Sequence, residues 1–242
     1  MTRNLFWRNL KKPGLKKNNL AKILFLAAGL CLLALSPAFP QNREEAISLE
    51  LEKLEQAAEY FQKGEGYLLK QQYPQAIEEI QKGLQLNPAY ALAFNNLGSA
   101  YFFLDQTQEA INNYQKALEL DPELAEAYNN LGFIYASQGK TQEAIDSYKK
   151  ALEVFPDYCE VNLNLGVIYR NQGKMELAIS CFKKAIQINP AYAEAYAALG
   201  MAQYSQGNYN EAKANFQKAR ELFQSAGDNE SLKLVEEYIN KL

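Results

Sequence analysis

The sequence predicts an all-α fold, a solenoid of helical hairpins, and three observations support this prediction. Prolines recur every 34 residues, and glycines and alanines follow the same period. Apolar residues within each period have the three- and four-residue spacing of amphipathic helices. Glycine or proline stands where most of these helices would have to end. The recurring residues are Pro88, Pro122, Pro156 and Pro190; Gly64, Gly98, Gly132, Gly166 and Gly200; Gly139, Gly173 and Gly207; and Ala76, Ala110, Ala144, Ala178 and Ala212.

One period, residues 125–158, shows how the hairpin is predicted. Residues 125–138 place apolar side chains on one stripe, Gly139 supplies a turn, and residues 141–154 form a second amphipathic helix that Pro156 ends. Glycine recurs at the eighth position of each period, although glycine inside a helix costs about 1 kcal/mol relative to alanine. We therefore expect the two helices to approach closely there, against the alanine at position 20. A hairpin this small cannot bury its own apolar face, so neighbouring hairpins must stack.

These residues resemble the tetratricopeptide repeat (TPR) family. The family pattern is an aromatic residue at position 4, Leu-Gly at 7–8, Tyr at 11, Ala at 20, an aromatic at 24, Ala at 27 and Pro at 32. The resemblance implies five repeats in a right-handed superhelical α-solenoid, at 57–90, 91–124, 125–158, 159–192 and 193–226. The second and third repeats match through Phe94, Leu97, Gly98, Tyr101, Ala110, Tyr114, Ala117 and Pro122, and through Tyr128, Leu131, Gly132, Tyr135, Ala144, Tyr148, Ala151 and Pro156. The other three depart from it at Lys63, Ile80 and Gly83, at Asn162, and at Gln203 and Gln224.

Two segments flank the predicted repeats. Residues 39–56 are charged and helix-prone, and we expect a lead-in helix that continues into the first repeat. Residues 227–242 carry an apolar stripe behind Asp228, a residue type that caps helix N-termini, so a C-terminal capping helix is predicted. Because Gln224 stands where the other repeats have proline, the last repeat helix is expected to run on.

The first 38 residues are typical of a targeting segment. They contain seven basic and no acidic residues, followed by an apolar run from Ile23 to Leu35 and by Ser36-Pro37-Ala38. A signal peptide cleaved after Ala38 fits this pattern. An uncleaved anchor through residues 21–39 is the alternative, although spanning a bilayer takes about 20 apolar residues. Both interpretations predict that the body lies outside the cytoplasm, exported to a periplasm, a lumen or the medium, or anchored in the membrane.

Composition argues against several classes of function. The chain has no histidine, which removes the commonest general base and most zinc sites. Residues 39–242 hold 18 basic and 28 acidic residues, a net charge of −10, whereas nucleic-acid binding needs a basic surface. No stretch outside the repeats has room for a catalytic domain. We therefore expect no catalytic residues, no metal, no cofactor and no nucleic-acid partner.

Two local signals have simpler interpretations. Gly139-Lys140-Thr141 is similar to the end of a phosphate-binding loop, but that motif needs another glycine at position 134, which is Ile. Because Gly173-Lys174 recurs at the same repeat position, a hairpin turn is predicted instead. Cys159 and Cys181 are expected to pack as thiols, because their offset along the hairpin is too large for easy bridging.

The TPR resemblance implies that positions 2, 5, 9, 12 and 13 of each first helix line a concave, peptide-binding groove. Those positions supply the candidate site, which comprises Phe61, Glu65, Leu68, Asn95, Ser99, Phe102, Phe103, Glu126, Asn129, Phe133, Glu160, Arg170, Asn171, Glu194, Met201 and Tyr204. For Phe103 and Phe133 the sequence leaves open whether the rings bind a partner or pack between helices. The basic residues with which one TPR subtype holds chaperone C-termini are absent from these positions, which disfavours that partner.

A row of glutamates at position 2, Glu126, Glu160 and Glu194, lies beside apolar groups and favours an extended or helical peptide with apolar anchors and some positive charge. The leading hypothesis is a non-catalytic protein-interaction scaffold in an exported compartment. The alternative is a membrane-anchored assembly factor for an integral-membrane complex. The oligomeric state does not follow from the sequence.

Overall fold

The structure, a computed structural model, describes residues 43–242, and it describes side chains from residue 46 onward. These residues form an all-α fold of eleven helices, and the described part contains no strand. The predicted signal or anchor segment, residues 1–38, lies outside the described residues. Between residues 43 and 242, no helix combines the length and the apolar character needed to cross a membrane. The described chain divides into two compact units, with the boundary between Leu104 and Asp105.

Unit 1 contains three helices in its described part, α1 (Arg43–Leu69), α2 (Tyr73–Leu86) and α3 (Ala91–Phe103). The helices α1 and α2 form a hairpin, and α3 packs against α2. The predicted lead-in segment and the first repeat helix are one continuous helix, α1. The core of this unit is a cluster that begins at Ala57 and includes Ala57, Phe61, Leu68, Ala76, Ile80, Ala93, Leu97 and Ala100.

Unit 2 contains eight helices. They are α4 (Thr107–Leu120), α5 (Ala125–Ser137), α6 (Thr141–Val154), α7 (Cys159–Asn171), α8 (Met175–Ile188), α9 (Ala193–Ser205), α10 (Tyr209–Ala226) and α11 (Asn229–Ile239). The hairpins α5–α6, α7–α8 and α9–α10 stack in chain order, and α11 packs against α10. Alanines 144, 178 and 212 and the rings of Tyr148, Phe182 and Phe216 are fully or almost fully buried between the helices.

The hairpin turns show why the period contains glycine. Gly139 has φ +72°, a left-handed conformation that glycine adopts without steric cost, and Gly173 and Gly207 repeat it. The same repeat position in the first two repeats holds Gln71 at φ 61° and Asp105 at φ 60°, so the turn geometry is kept without glycine. Gly139-Lys140-Thr141 therefore forms a hairpin turn, as predicted.

The C-terminal elements follow the sequence pattern closely. Helix α10 has 18 residues, whereas α6 and α8 have 14, and it ends at Gly227 in the left-handed conformation. Asp228 caps α11, because its carboxylate accepts a hydrogen bond from the Ser231 backbone N–H at 3.2 Å. Tyr238 of α11 stacks on Phe216 at 5.0 Å between ring centroids, which covers the last repeat hairpin.

The two cysteines of the described chain, Cys159 and Cys181, form no disulfide. Cys159 is buried at the start of α7, and its Sγ lies 3.0 Å from Oε2 of Glu160. Cys181 is half-buried on α8, and burial raises the pKa of its thiol, which disfavours the reactive thiolate.

Candidate interaction surfaces of the two units

Two predicted groove residues of unit 1, Phe61 and Leu68, belong to its core. Phe61 is 7% exposed, and its ring lies at 4.7 Å from the ring of Tyr90 and against the backbone of Gly83. Leu68 is buried in the same cluster. Both side chains are covered because they lie in the cluster where α1, α2 and α3 meet, so their assignment to an exposed groove was wrong.

Glu65, another predicted residue of unit 1, carries a half-buried carboxylate. Nδ2 of Asn96 lies 3.5 Å from Oε1 of Glu65. Burial raises the pKa of Glu65, and the hydrogen bond from Asn96 opposes that rise. Burial together with the nearby Glu65 carboxylate raises the pKa of Tyr90 to about 12. Asn95 and Ser99 on α3 are also buried, so like Phe61 and Leu68 they do not line an exposed groove, and the Ser99 hydroxyl donates to the Asn95 carbonyl at 3.1 Å.

The aromatic residues of unit 1 pack on one another at the end of α3. Phe103 stacks on Tyr73 of α2, with ring centroids 5.0 Å apart and an interplanar angle of 9°. Phe102 meets Phe103 edge-on at 5.6 Å. Phe102 and Phe103 are both half-buried, so each ring both packs within the unit and keeps an exposed part.

Unit 2 joins its first helices through polar side chains around a buried tyrosine. Tyr158, which directly precedes α7, is 8% exposed. Burial raises the pKa of Tyr158 above its usual range, and the charges of Glu126 and Glu160 add to the rise, whereas a hydrogen bond with Asn129 opposes it. Nδ2 of Asn164 on α7 lies 3.5 Å from Oδ1 of Asn129 on α5. The carboxylates of Glu126 and Glu160 therefore lie near the polar contact that Asn129 and Asn164 make between α5 and α7.

The other predicted residues of unit 2 extend this surface along α7 and α9. Nη1 of Arg170 lies 3.6 Å from the Met201 sulfur, and Tyr204 meets Tyr209 and Tyr238 edge-on at 5.4 and 5.8 Å. Among the other residues, Glu126 and Asn171 are exposed, Phe133, Glu160 and Glu194 are half-buried, and Asn129 is buried at 6% exposure. We use the name first-helix face of unit 2 for the following residues: Glu126, Asn129, Phe133, Glu160, Arg170, Asn171, Glu194, Met201 and Tyr204.

The sequence reasoning missed three residues of these surfaces, Asn96, Tyr158 and Asn164. They occupy repeat positions 6 and 34, which were not among the five positions considered. A signal was present, because asparagine recurs at position 6 in Asn96, Asn130 and Asn164, and tyrosine recurs at position 34 in Tyr90, Tyr158 and Tyr192. A polar residue that recurs in phase on the inner side of stacked helices indicates a shared contact.

The repeated hairpins and their stacked first helices define a tetratricopeptide repeat protein, a class of helical interaction scaffolds. A family model described as the Cilia and flagella-associated protein 70 C-terminal domain matches residues 41–234, and the chain belongs to this family.

Solved structures support the same fold. A crystal structure of MamA is 29% identical, covering 68% of this chain and 96% of MamA, with a TM-score of 0.59. Pseudomonas aeruginosa PilF is 22% identical, with a TM-score of 0.66 over 76% of this chain and 90% of PilF. PilW, described as a widely conserved type IV pilus biogenesis factor, is 23% identical, with a TM-score of 0.61 over 76% of this chain and 92% of PilW. A comparison with curated proteins found no match.

Proposed function

We propose that this protein is a non-catalytic scaffold that binds a peptide segment of another protein on the first-helix face of unit 2. The observation that carries the proposal is the cluster of Glu126, Glu160 and Tyr158 between α5 and α7. Residues of one helix hairpin alone could not form it, because it requires two stacked hairpins. The sequence pattern of the repeats and the TPR family support the same conclusion.

The chemistry of this face favours a ligand with both apolar and positively charged side chains. Glu126 is exposed and Glu160 is half-buried, so both side chains reach the surface, where a lysine or arginine of a ligand can pair with them. Phe133, Met201 and Tyr204 are half-buried and offer contact area to apolar side chains. The net charge of −10 over residues 39–242 would also attract a basic segment over longer distances.

The contact between Asn129 and Asn164 supports a role in orienting a bound peptide. A side-chain amide both donates and accepts, so the half-buried Asn164 can bond the backbone of an extended peptide while it remains in contact with Asn129, which is buried beneath it at 6% exposure. Peptide recognition commonly combines such backbone bonds with pockets for individual side chains. In unit 1, the buried Asn96 contacts the half-buried Glu65, and we propose that the Glu65 carboxylate takes the corresponding role on its own unit.

We further propose that the protein acts outside the cytoplasm, because residues 1–38 have the pattern of an export signal. We retain the predicted division into a targeting segment at 1–38, a lead-in at 39–56, five repeats at 57–226 and a cap at 227–242. If residues 21–39 stay in the membrane, the scaffold becomes an anchored assembly factor, and the surface that binds the partner is the same.

The test is a quantitative crosslinking pull-down from membrane and soluble fractions with two charge-matched variants. Glu126→Lys with Glu160→Lys changes the first-helix face of unit 2. Glu143→Lys with Glu153→Lys makes the same charge change at exposed positions of α6. We expect partners to be lost from the first variant and kept by the second, because close carboxylates contribute more to binding than distant ones. The fraction that yields the partner distinguishes an exported scaffold from an anchored one.

The captured partner is then reduced to a synthetic peptide, and its affinity is measured for the wild type and for Phe133→Ala. Circular dichroism must first show that each variant keeps its helical content. A large loss of affinity with Phe133→Ala supports an apolar contact on this face. Equal capture by both charge variants would contradict the proposed surface.

A further inference from the structure

The N-terminal part of α1 extends well beyond the hairpin to which it belongs. Helix α1 has 27 residues, whereas α2 has 14 and the first helices α3, α5, α7 and α9 have 13. The first buried residue of the described chain is Ala57. Residues 43–56 therefore project past the end of the hairpin by about 21 Å, at 1.5 Å per residue.

This projecting segment has an apolar stripe of its own. Ile47, Leu51 and Leu54 follow one another at intervals of four and three residues, which places them on one side of the helix. Leu51 is 40% exposed, and Ile47 and Leu54 are half-buried. This side of the helix continues through Ala57 to Phe61, at intervals of three and four residues, where both side chains are buried in the core of unit 1 and Phe61 contacts the Tyr90 ring. The stripe is thus the exposed continuation of a face that is buried further along.

Acidic residues border the stripe on both sides. In a heptad with Leu51 and Leu54 at the two apolar positions, Glu50 and Glu55 occupy the flanking positions that face a partner helix. Glu50 pairs with Lys53 at 3.4 Å, with both side chains more than 40% exposed, so this pair remains accessible. Residues 46–56 carry three glutamates and one lysine, a net charge of −2.

We propose that residues 46–56 of α1, the α1 extension, are a second interaction surface, which pairs with a basic amphipathic helix of a partner protein. A second copy of this chain would bring acidic flanks against acidic flanks, which is unfavourable in helix pairing. A helix with apolar core positions flanked by lysine or arginine matches both the stripe and its charge. This surface is separate from the first-helix face of unit 2 and does not depend on it.

The first test uses a designed three-heptad peptide with leucine at the two core positions and lysine at the flanking positions. Its affinity for the full chain is measured by fluorescence anisotropy. We expect Leu51→Gln with Leu54→Gln to weaken binding by at least about tenfold, because two apolar contacts are lost while glutamine preserves helix propensity. Leu49→Gln is the matched control, since Leu49 is 54% exposed on the opposite side of the same helix, and we expect no loss there.

The second test exchanges charge. The Lys-flanked peptide should bind more tightly than an otherwise identical Glu-flanked peptide, and the difference should shrink at high salt. Glu50→Lys with Glu55→Lys should reverse this preference. Glu52→Lys with Glu59→Lys makes the same change in net charge away from the stripe and should leave the preference intact.

Three results would overturn the proposal. The first is equal affinity of the wild type for the Lys-flanked and the Glu-flanked peptide. The second is a loss of affinity with Leu49→Gln as large as that with Leu51→Gln and Leu54→Gln. The third is self-association of the wild type that Leu51→Gln with Leu54→Gln abolishes, because it would make a second copy the occupant. Circular dichroism and thermal unfolding of every variant separate loss of binding from loss of folding.

Discussion

Glycine at repeat position 8 allows an aromatic or branched side chain of the facing helix to lie against the backbone. A Cβ added to Gly132 would lie 2.7 Å from Cε1 of Tyr148, and the rings of Phe182 and Phe216 stand in the same relation to Gly166 and Gly200. The sequence predicted close packing here but assigned it to the alanine at position 20. The nearest atoms belong instead to the side chain at position 24, which reaches across the interface, and at Gly64 the Ala76 carbonyl oxygen also lies within contact distance, 3.4 Å from an added Cβ.

Two glycines of α1 provide a direct test of this packing. A Cβ on Gly64 would lie 2.5 Å from Cγ1 of Ile80, a buried core residue, whereas a Cβ on Gly66 would meet nothing within 4 Å. We expect Gly64→Ala to lower the free energy of unfolding by about 1–3 kcal/mol through overpacking. Gly66→Ala should raise it by up to about 1 kcal/mol through helix propensity. Urea denaturation of both variants measures the difference, and equal effects would contradict the packing argument.

At the scale of single elements, the ends of the helices are well explained by local signals. Left-handed glycines close the later hairpin turns, and Asp228 begins α11 with a side-chain cap. The predicted N-cap role of Asp228 is confirmed, since its carboxylate accepts from the Ser231 N–H and also from the Ser231 hydroxyl at 3.0 Å. These signals depend only on residues close in the chain, which is why they could be identified from sequence.

The cap of α11 makes a second stability prediction. We expect Asp228→Ala to destabilise the last part of unit 2 by about 1 kcal/mol, because the Ser231 N–H loses its acceptor. Asp228→Asn is the matched control, since asparagine caps helices about as well as aspartate. Thermal unfolding followed by circular dichroism measures both variants. A loss with asparagine as large as that with alanine would mean that charge, and not capping, is responsible.

At the scale of the whole molecule, tertiary contacts join mainly helices that are consecutive in the chain. Stability in such an array is the sum of hairpin stabilities and of interfaces between neighbours. A terminal segment, which has a neighbouring helix on one side at most, therefore unfolds locally at a lower free-energy cost than a central hairpin. The α1 extension is the clearest example within the described residues, because the core contacts of helix α1 begin only at Ala57, after the extension ends.

Amide hydrogen exchange should detect this difference in local stability along the chain. We expect amides of the α1 extension to exchange fastest among the helical amides of the described chain, and those of α5 to α8 to exchange slowest. The amides of α11 serve as an internal control, because α11 is a terminal helix that buries Val235 and stacks Tyr238 on Phe216. Protection of the α1 extension equal to that of α7 in the monomer would contradict the prediction.

The sequence by itself determined the helical hairpins, their period, most of their ends and the TPR class. Periodicity and turn residues are local properties, and 34-residue repetition makes each local signal visible several times. The tertiary structure decided which side of each helix is covered. Phe61 and Leu68 were assigned to an exposed groove by their repeat positions, but the packing of α1 with α2 and α3 buries them in the core.

The environment of Tyr158, between Glu126 and Glu160, likewise required the stacking of α5 and α7. Burial and charge at a site depend on neighbouring helices distant in the chain, and that information is not carried by any single helix.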